Sequence, residues 1–461
     1  MGVTMKWKEK VLGDPVFFRK LWELSLPIGL QSLLAAMVAA ADAFMLGRLN
    51  QDSMAAVSLA SQVQFILSMF TAAVTGPASI LGAQYWGKGD RKSLDDIFHI
   101  SLRLTLIIDI LFFLICFFLP QYLMAFFTND PGLNRIGCDY LRVAAVSYLL
   151  VGFSQLYLSM FRISDHAAAG AFVSFLTVLL NIILNSVFIF GYLGAPAMGA
   201  KGAALATTLS GLIQILLCLF LSYRPGYLHP FLRNAFRRNR LLTGDFIKLS
   251  LPILGASLLW GIGFTSYTAI LGHMGTDAAA ANSAAAVVRD LVCCLCNGIG
   301  AAAAIMIGNE LGAGELDRAR TYGYRLRNIS WVIGFFSMGI VLLVTPLILN
   351  AMKLRPKAHG YLFGMMLILS VYMIGRCVNT VTINGILDGG GDTKFDLYSL
   401  IVMMWCFAIP AALLGAFVFH WPVLFVYFCT CLDEVGKLPW VMVRMKKEKW
   451  VRNLTRERME E

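Results

Sequence analysis

An all-α polytopic membrane protein of about twelve spans is the fold class this sequence predicts. Three observations predict it. The chain of 461 residues is 58% hydrophobic and only 14% charged, where a soluble domain would carry roughly 25% charged residues. Apolar runs of about 20 to 30 residues, each long enough to cross a bilayer, recur from end to end. Lysine and arginine gather in alternate connections between those runs. In hydrocarbon the backbone must satisfy its own hydrogen bonds, so the runs are read as helices. The net charge of +11 then serves orientation in a membrane and does not point to nucleic acid.

Residues 1–20 form a basic segment with Lys6, Lys8, Lys10, Arg19 and Lys20. It resembles a signal-peptide n-region, but the run after it is too long and carries Pro27, so no cleavage is expected. Spans are expected at 21–48, 54–80, 94–119, 136–160, 166–191 and 202–223, making a first lobe over 21–223. Arg224, Arg233, Arg237, Arg238 and Arg240, with Pro225 and Pro230, mark 224–245 as a basic surface linker. Spans at 246–273, 279–306, 320–349, 360–387, 395–418 and 421–442 make a second lobe over 246–443, and a basic tail covers 444–461. The ten cysteines are scattered; Cys293, Cys294 and Cys296 lack paired-ligand spacing for zinc and read as small packing residues.

With the N-terminus in the cytoplasm, the even-numbered connections face inward. About 26 basic residues then fall inside and about 6 outside, so both termini are expected in the cytoplasm. The cluster Lys353, Arg355 and Lys357 is discordant.

The halves repeat. Leu24-Ser25-Leu26-Pro27 matches Leu249-Ser250-Leu251-Pro252 at a shift of 225 (252 − 27). At the same shift Leu46-Gly47 meets Leu271-Gly272, Ala55-Ala56 meets Ala280-Ala281, and Gly87 and Gly89 of GKGD meet Gly312 and Gly314 of GAGE. Six spans per repeat is an even number, so both halves insert the same way up, related by an axis along the membrane normal with a cavity between them. That arrangement suits an alternating-access transporter.

Inside the first run, AAMVAAADAFMLGRL over 35–49 holds one carboxylate, Asp42. An aspartate there costs about 3 kcal/mol or more to insert, so it should face a cavity or a partner. It reads as the ligand for the coupling cation of a secondary transporter; the competing reading is a structural aspartate that snorkels or caps a neighbour.

Asp42 in ADAFMLG, GAQYWGKGD at 82–90, NIILNSVFIFG at 181–191, MGAKGAALAT at 198–207 and GILDGGGDTK at 385–394 together resemble the multidrug and toxic compound extrusion (MATE) family, and the resemblance covers essentially the whole chain. It implies two six-helix lobes in a V shape and export of drug-like, often cationic compounds in exchange for H+ or Na+. The implied coupling site is Asp42, Asn181, Asn185 and Thr207. Such proteins have an aspartate where this chain has Asn185. Asn181 and Asn185 still share a helix face at i, i+4 and can offer carbonyl oxygens, but the site has lost a negative charge. Interhelical hydrogen bonding, worth about 0.6 to 2 kcal/mol each, is the alternative role for the two amides. No cofactor is implied beyond the coupling ion, no metal beyond Na+ at Asp42, and the expected partners are small organic substrates and the lipid bilayer, with the chain a monomer in the plasma membrane.

The position matching Asp42 in the second half is Tyr267 (42 + 225), so coupling is expected to concentrate in the first half. Asp109 is expected to pair with Arg103 or Arg142 across helices, the alternative being a role in transport. Arg289-Asp290, Arg376 and Asn379 are candidates for the cavity wall, with an acid partner expected for Arg376 because a lone buried arginine is costly. Gln31, Gln62, Gln64, Tyr148 and Tyr267 are further cavity candidates. Pro27 and Pro252 open equivalent helices, where a kink can act as a hinge that responds to Asp42. DGGGDTK has neither Walker spacing nor a preceding strand and is rejected as a phosphate loop. Two other readings remain: a lipid-linked precursor or polysaccharide flippase, which should show a strongly basic central cavity, and a membrane enzyme, which would need clustered His, Asp or Glu. The six histidines, His99, His166, His229, His273, His359 and His420, are dispersed.

Overall fold

The structure is a computed structural model describing residues 14–228, 239–352 and 354–457. The expected sites at Lys6, Lys8, Lys10, Arg233, Arg237, Arg238, Pro230 and Lys353 lie outside these residues. Among the described residues every regular element is helical. Eleven helices among these residues are long and apolar enough to cross a membrane: α1 Pro15–Leu49, α2 Gln51–Lys88, α3 Arg91–Phe118, α4 Pro131–Ile163, α5 Ala167–Phe190, α6 Ala200–Ser222, α7 Arg240–His273, α8 Thr276–Gly312, α9 Leu316–Ala351, α10 Pro356–Leu387 and α11 Thr393–Val418.

Asx caps start five of these helices, the first at Asp14, whose Oδ1 accepts from the Val16 N–H at 3.1 Å and the Phe17 N–H at 3.2 Å. Asn50 Oδ1 accepts from the Ser53 N–H at 2.6 Å, Asp90 from Ser93 at 3.0 Å, Asp130 from Gly132 at 2.8 Å and Leu133 at 3.0 Å, and Asn239 from Leu242 at 3.1 Å. Such a side chain satisfies donors the helix itself leaves orphaned. Gly191 ends α5 at φ +78°, a left-handed C-cap that a Cβ would disfavour. On α3 the exposed residues Ile107, Leu111, Leu114 and Phe118 fall at i, i+4, i+7 and i+11. That apolar stripe is made for lipid.

The expected twelfth span differs in form. Residues 421–442 contain three short helices, Val423–Thr430, Leu432–Val435 and the start of Leu438–Lys446. The breaks fall around Asp433, Glu434 and Lys437, charges whose partners, described below, take over part of the ordering. α10 and α11 also depart from regular winding: Thr380–Leu387, Ile401–Ala408 and Leu414–Val418 are π-helical. Pro410, which lacks an N–H, sits between the last two.

The prolines need a correction. Pro27 and Pro252 do not open their helices; each lies twelve residues inside (27 − 15 and 252 − 240). The chain forms two compact units. One comprises residues 30–82 and 90–250; the other comprises 1–29, 83–89 and 251–461, within the described residues. Both prolines thus stand within three residues of a point where the chain passes from one unit to the other.

Within the first of these units, Leu46, Val63, Leu67, Leu141, Tyr148 and Ile189 belong to one apolar core. In the other, α8 is lined with alanine and glycine and is the most buried of the long helices, because small residues let helix backbones approach closely. A Cβ on Gly87 would run into the backbone of Asn309, and one on Gly312 into the backbone of Gln84. Both pairs keep the repeat shift (312 − 87 and 309 − 84, each 225), so the ends of α2 and α8 meet as a reciprocal, pseudo-twofold contact. The repeat read from the sequence is here a packing rule.

The tail expected to be a basic appendage is, over 447–457, a bound strap. Trp450 is fully buried, lying against Gly323. Gln84 holds the strap from both directions, accepting from the Leu454 N–H at 2.6 Å and donating to Gly389 O at 3.1 Å and Arg452 O at 3.4 Å. Arg444 clamps Asp392 of the DGGGD loop through two bonds of 2.7 Å.

Candidate functional site

The first half builds one polar cluster among its apolar helices. α1 carries Asp42, α5 carries Asn181 and Asn185 one turn apart, and α6 carries Thr207. Asn185 Nδ2 donates to Asp42 Oδ1 at 2.5 Å and to Asn181 Oδ1 at 3.0 Å. Asn181 Nδ2 reaches the hydroxyls of Thr207 and Ser210, each at 3.4 Å. The two amides are buried, Asn185 completely, while Asp42 is half-buried. Asn185 Oδ1 is enclosed and has no hydrogen-bond partner among the described residues. No cation is paired with Asp42 there either. The cluster therefore presents one carboxylate and two amide carbonyls, with neighbouring hydroxyls, in a medium of low dielectric where an uncompensated charge is costly.

Two members of this neighbourhood escape the sequence reading. Ser210 follows Thr207 at i+3 on the same face of α6, a spacing that could have found it. Tyr140 on α4 is buried beside Asp42 and bonded to Ser61; no local pattern marks it.

The other candidates disperse. Gln31 is buried against Gly170 of α5, both of its amide atoms without partners among the described residues. Gln62 is exposed and Gln64 half-buried. Tyr148 sits in the apolar core, a packing position. Asp109 is a correction: neither Arg103 nor Arg142 pairs with it. Its two oxygens have no partner among the described residues, and it packs on Gly152 and Thr105, while Arg103 bonds to His99 O at 3.1 Å.

In the second half Arg376 has its expected acid, Glu434, at 2.8 Å. Asn379 donates to the same carboxylate at 2.7 Å and to the Glu434 carbonyl at 2.8 Å, and Lys437 stands 4.0 Å away. The sequence reading passes over Asp433 and Glu434, although two acids and a lysine inside an expected span are a plain signal. Arg289 is held by its neighbour Asp290 at 2.9 Å and lies over the Phe264 ring at 4.1 Å. Outside the spans, burial, then the neighbouring Asp396 and Asp392, push the Asp388 carboxyl well above its ordinary value.

Comparison with known proteins follows the same lines. The model of the MatE family matches residues 27–187 and 252–414, two copies that begin 225 residues apart (252 − 27) at the prolines inside α1 and α7. Among curated relatives, the uncharacterized transporter YisQ of Bacillus subtilis is 23% identical over 398 residues, 86% of each chain. The multidrug resistance protein MdtK of Pectobacterium atrosepticum is 25% identical over 401 residues, 86% of this chain and 87% of its own. A probable multidrug resistance protein NorM of Thermotoga maritima is 23% identical over 474 residues, 98% and 97%. Among solved structures, the Vibrio cholerae MATE transporter VcmN in its bent form superposes with a TM-score of 0.82 at 16% identity over 94% of this chain and 96% of its own. That likeness concerns the fold. With both halves matched by the family model and a fold of long apolar helices, this chain belongs to the MatE family, the multi-pass multidrug and toxic compound extrusion transporters.

Proposed function

We propose that this protein exports small organic compounds across the plasma membrane by alternating access, driven by one monovalent cation, H+ or Na+, that enters at Asp42. The observation that carries the reading is the Asp42–Asn185–Asn181–Thr207 cluster: a carboxylate placed in apolar surroundings, bonded to an amide and facing no fixed cation among the described residues.

The exchange of carboxylate for amide at position 185 has a use. Asparagine carries both a donor and an acceptor. With Asp42 ionised, the Nδ2 group donates to it, as in this structure. With Asp42 protonated, the new O–H can donate to Asn185 Oδ1, the atom that has no partner here. With Na+ bound, Asp42, Asn181 and Asn185 each supply an oxygen, the ligand type a hard cation prefers. Each state is satisfied by a different arrangement of the same groups, and each arrangement sets α1 differently against α5. Pro27 and Pro252 supply the kinks at which such a rearrangement is absorbed. Both termini lie in the cytoplasm on the distribution of basic residues, and the functional unit is a monomer.

The experiment is efflux of a fluorescent organic cation from proteoliposomes under separately imposed pH and Na+ gradients. Efflux that follows one gradient and stops when it collapses is the expected result. Efflux indifferent to both gradients contradicts the reading.

A further inference from the structure

The second half holds a second place where a buried carboxylate faces empty space. A cavity of about 40 Å³ lies among α7, α8, α10 and the broken last span, and Tyr267, Asn282, Thr430 and Asp433 are among its walls. A water needs roughly 10 to 15 Å³ by the same measure. Drug-sized pockets run to several hundred Å³. The space thus suits an ion with a water or two and excludes an organic substrate.

Two of the residues that line it carry an enclosed polar atom bonded to nothing among the described residues: Asp433 Oδ1, on a residue 2% exposed, and Tyr267 Oη, on one 7% exposed. The Thr430 hydroxyl donates to Tyr427 O at 2.7 Å, which leaves its lone pairs available to the cavity. Native interiors seldom leave such groups orphaned, because each costs a desolvation penalty with no bond to offset it.

The charges around Asp433 do not balance. Three carboxylates, Asp433, Glu434 and Asp396, share the neighbourhood with two cations, Arg376 and Lys437. Arg289, the cation that lines the cavity itself, is already held by Asp290 and the Phe264 ring. Tyr372, Tyr427 and Cys431 complete the titratable groups around it. One positive charge is missing, and a buried unpaired carboxylate is a costly arrangement.

The repeat supplies an independent pointer. Tyr267 is the counterpart of Asp42 (267 − 225), and Asp433 falls at the counterpart of residue 208 (433 − 225), next to Thr207. The first half has its carboxylate on the first helix and its hydroxyl on the sixth. The second half has the hydroxyl on its first helix and the carboxylate on its sixth. The same two helix positions bound the site with their chemistry exchanged.

We propose that Asp433, with the hydroxyls of Tyr267 and Thr430, forms a second cation site that takes one Na+. It is separate from Asp42 and is tested by binding, so failure of the transport reading does not decide it. The measurement is equilibrium binding of radiosodium, displaced by unlabelled NaCl against a choline chloride control, to the purified full-length protein at fixed pH. In the Asp42→Asn background, saturable binding near one ion per chain is expected. Adding Asp433→Asn should weaken it about tenfold or more, the effect of losing the one anionic ligand. Tyr267→Phe, which deletes a single hydroxyl and keeps the ring, should weaken it about 2- to 10-fold and guards against an Asp433 variant that fails to fold. Unaltered affinity in both variants overturns the site. So does an Asp42→Asn protein that binds no Na+, including the case in which Asp433→Asn alters only the pH dependence of thermal stability, since the group would then carry a proton alone.

Discussion

Two carboxylates, Asp42 in the first half and Glu434 in the second, are surrounded by opposite kinds of partner. In the first, Asp42 is half-buried and its partner is a neutral amide, Asn185 at 2.5 Å. In the second, Glu434 is 3% exposed and gripped by Arg376, Asn379 and Lys437. A carboxylate matched by fixed cations is a brace, because its charge is already neutralised. A carboxylate matched only by an amide must find a mobile cation when it ionises in apolar surroundings. The difference lies in the partners, and a span-by-span inventory of acids would miss it.

The largest expected effect breaks the brace. Arg376→Met leaves Glu434 buried with a single, more distant cation and should cost about 3 to 5 kcal/mol of stability, read as a fall in the thermal midpoint in detergent. A variant of normal stability that loses only transport would place Arg376 with the substrate and erase the contrast between the halves. Trp450→Ala should cost a similar amount, about 3 to 5 kcal/mol, because the ring fills the space against Gly323 and anchors the strap at 447–457. Limited proteolysis should then clip the tail, and a protected tail would show that the other strap bonds suffice.

A smaller effect tests the amide. Asn185→Leu removes a hydrogen bond to a charged group, worth about 1.5 to 3 kcal/mol. Gradient-driven efflux should fall about tenfold or more, beyond what that loss of stability explains; unimpaired efflux would remove Asn185 from the site. The smallest effect concerns Asp388, whose carboxyl is held above its ordinary value by burial, then by Asp396 and Asp392. A raised value in the folded state means stability is greatest at low pH and is lost as pH rises through that value. Asp388→Asn should therefore raise the thermal midpoint at pH 8 and much less at pH 5. An equal shift at both would show that Asp388 is already ionised by pH 5 in the folded protein.

Much of this was legible because each signal was periodic or additive. Apolar run length marked the long helices, and the 225-residue shift marked a repeat that reappears in the contacts of Gly87 with Asn309 and Gly312 with Gln84. Asp42 stood out as a charge in an apolar run, and Asn181, Asn185 and Thr207 came with the family resemblance. What stayed hidden depends on partners distant along the chain. The sequence gives Asp109 two plausible arginines, and packing denies it both. Asp433 and Glu434 are visible as charges in an expected span, but Arg376, the partner of Glu434, lies 58 residues earlier (434 − 376). Trp450 falls in the expected basic tail, and the glycines that receive it lie about 60 and 130 residues earlier (450 − 390 and 450 − 323). Pro27 and Pro252 suggested helix starts because proline favours first turns, whereas here each stands where the chain passes between units.

The most direct test of the central claim compares wild type with Asp42→Asn in proteoliposomes, measuring gradient-driven efflux and, in parallel, equilibrium binding of the same organic cation. Coupling between two sites is typically worth about 1 to 3 kcal/mol, about 5- to 150-fold. The variant should therefore keep most of its substrate binding while its response to the imposed gradient falls by that factor. Full gradient-driven efflux from Asp42→Asn would contradict the account.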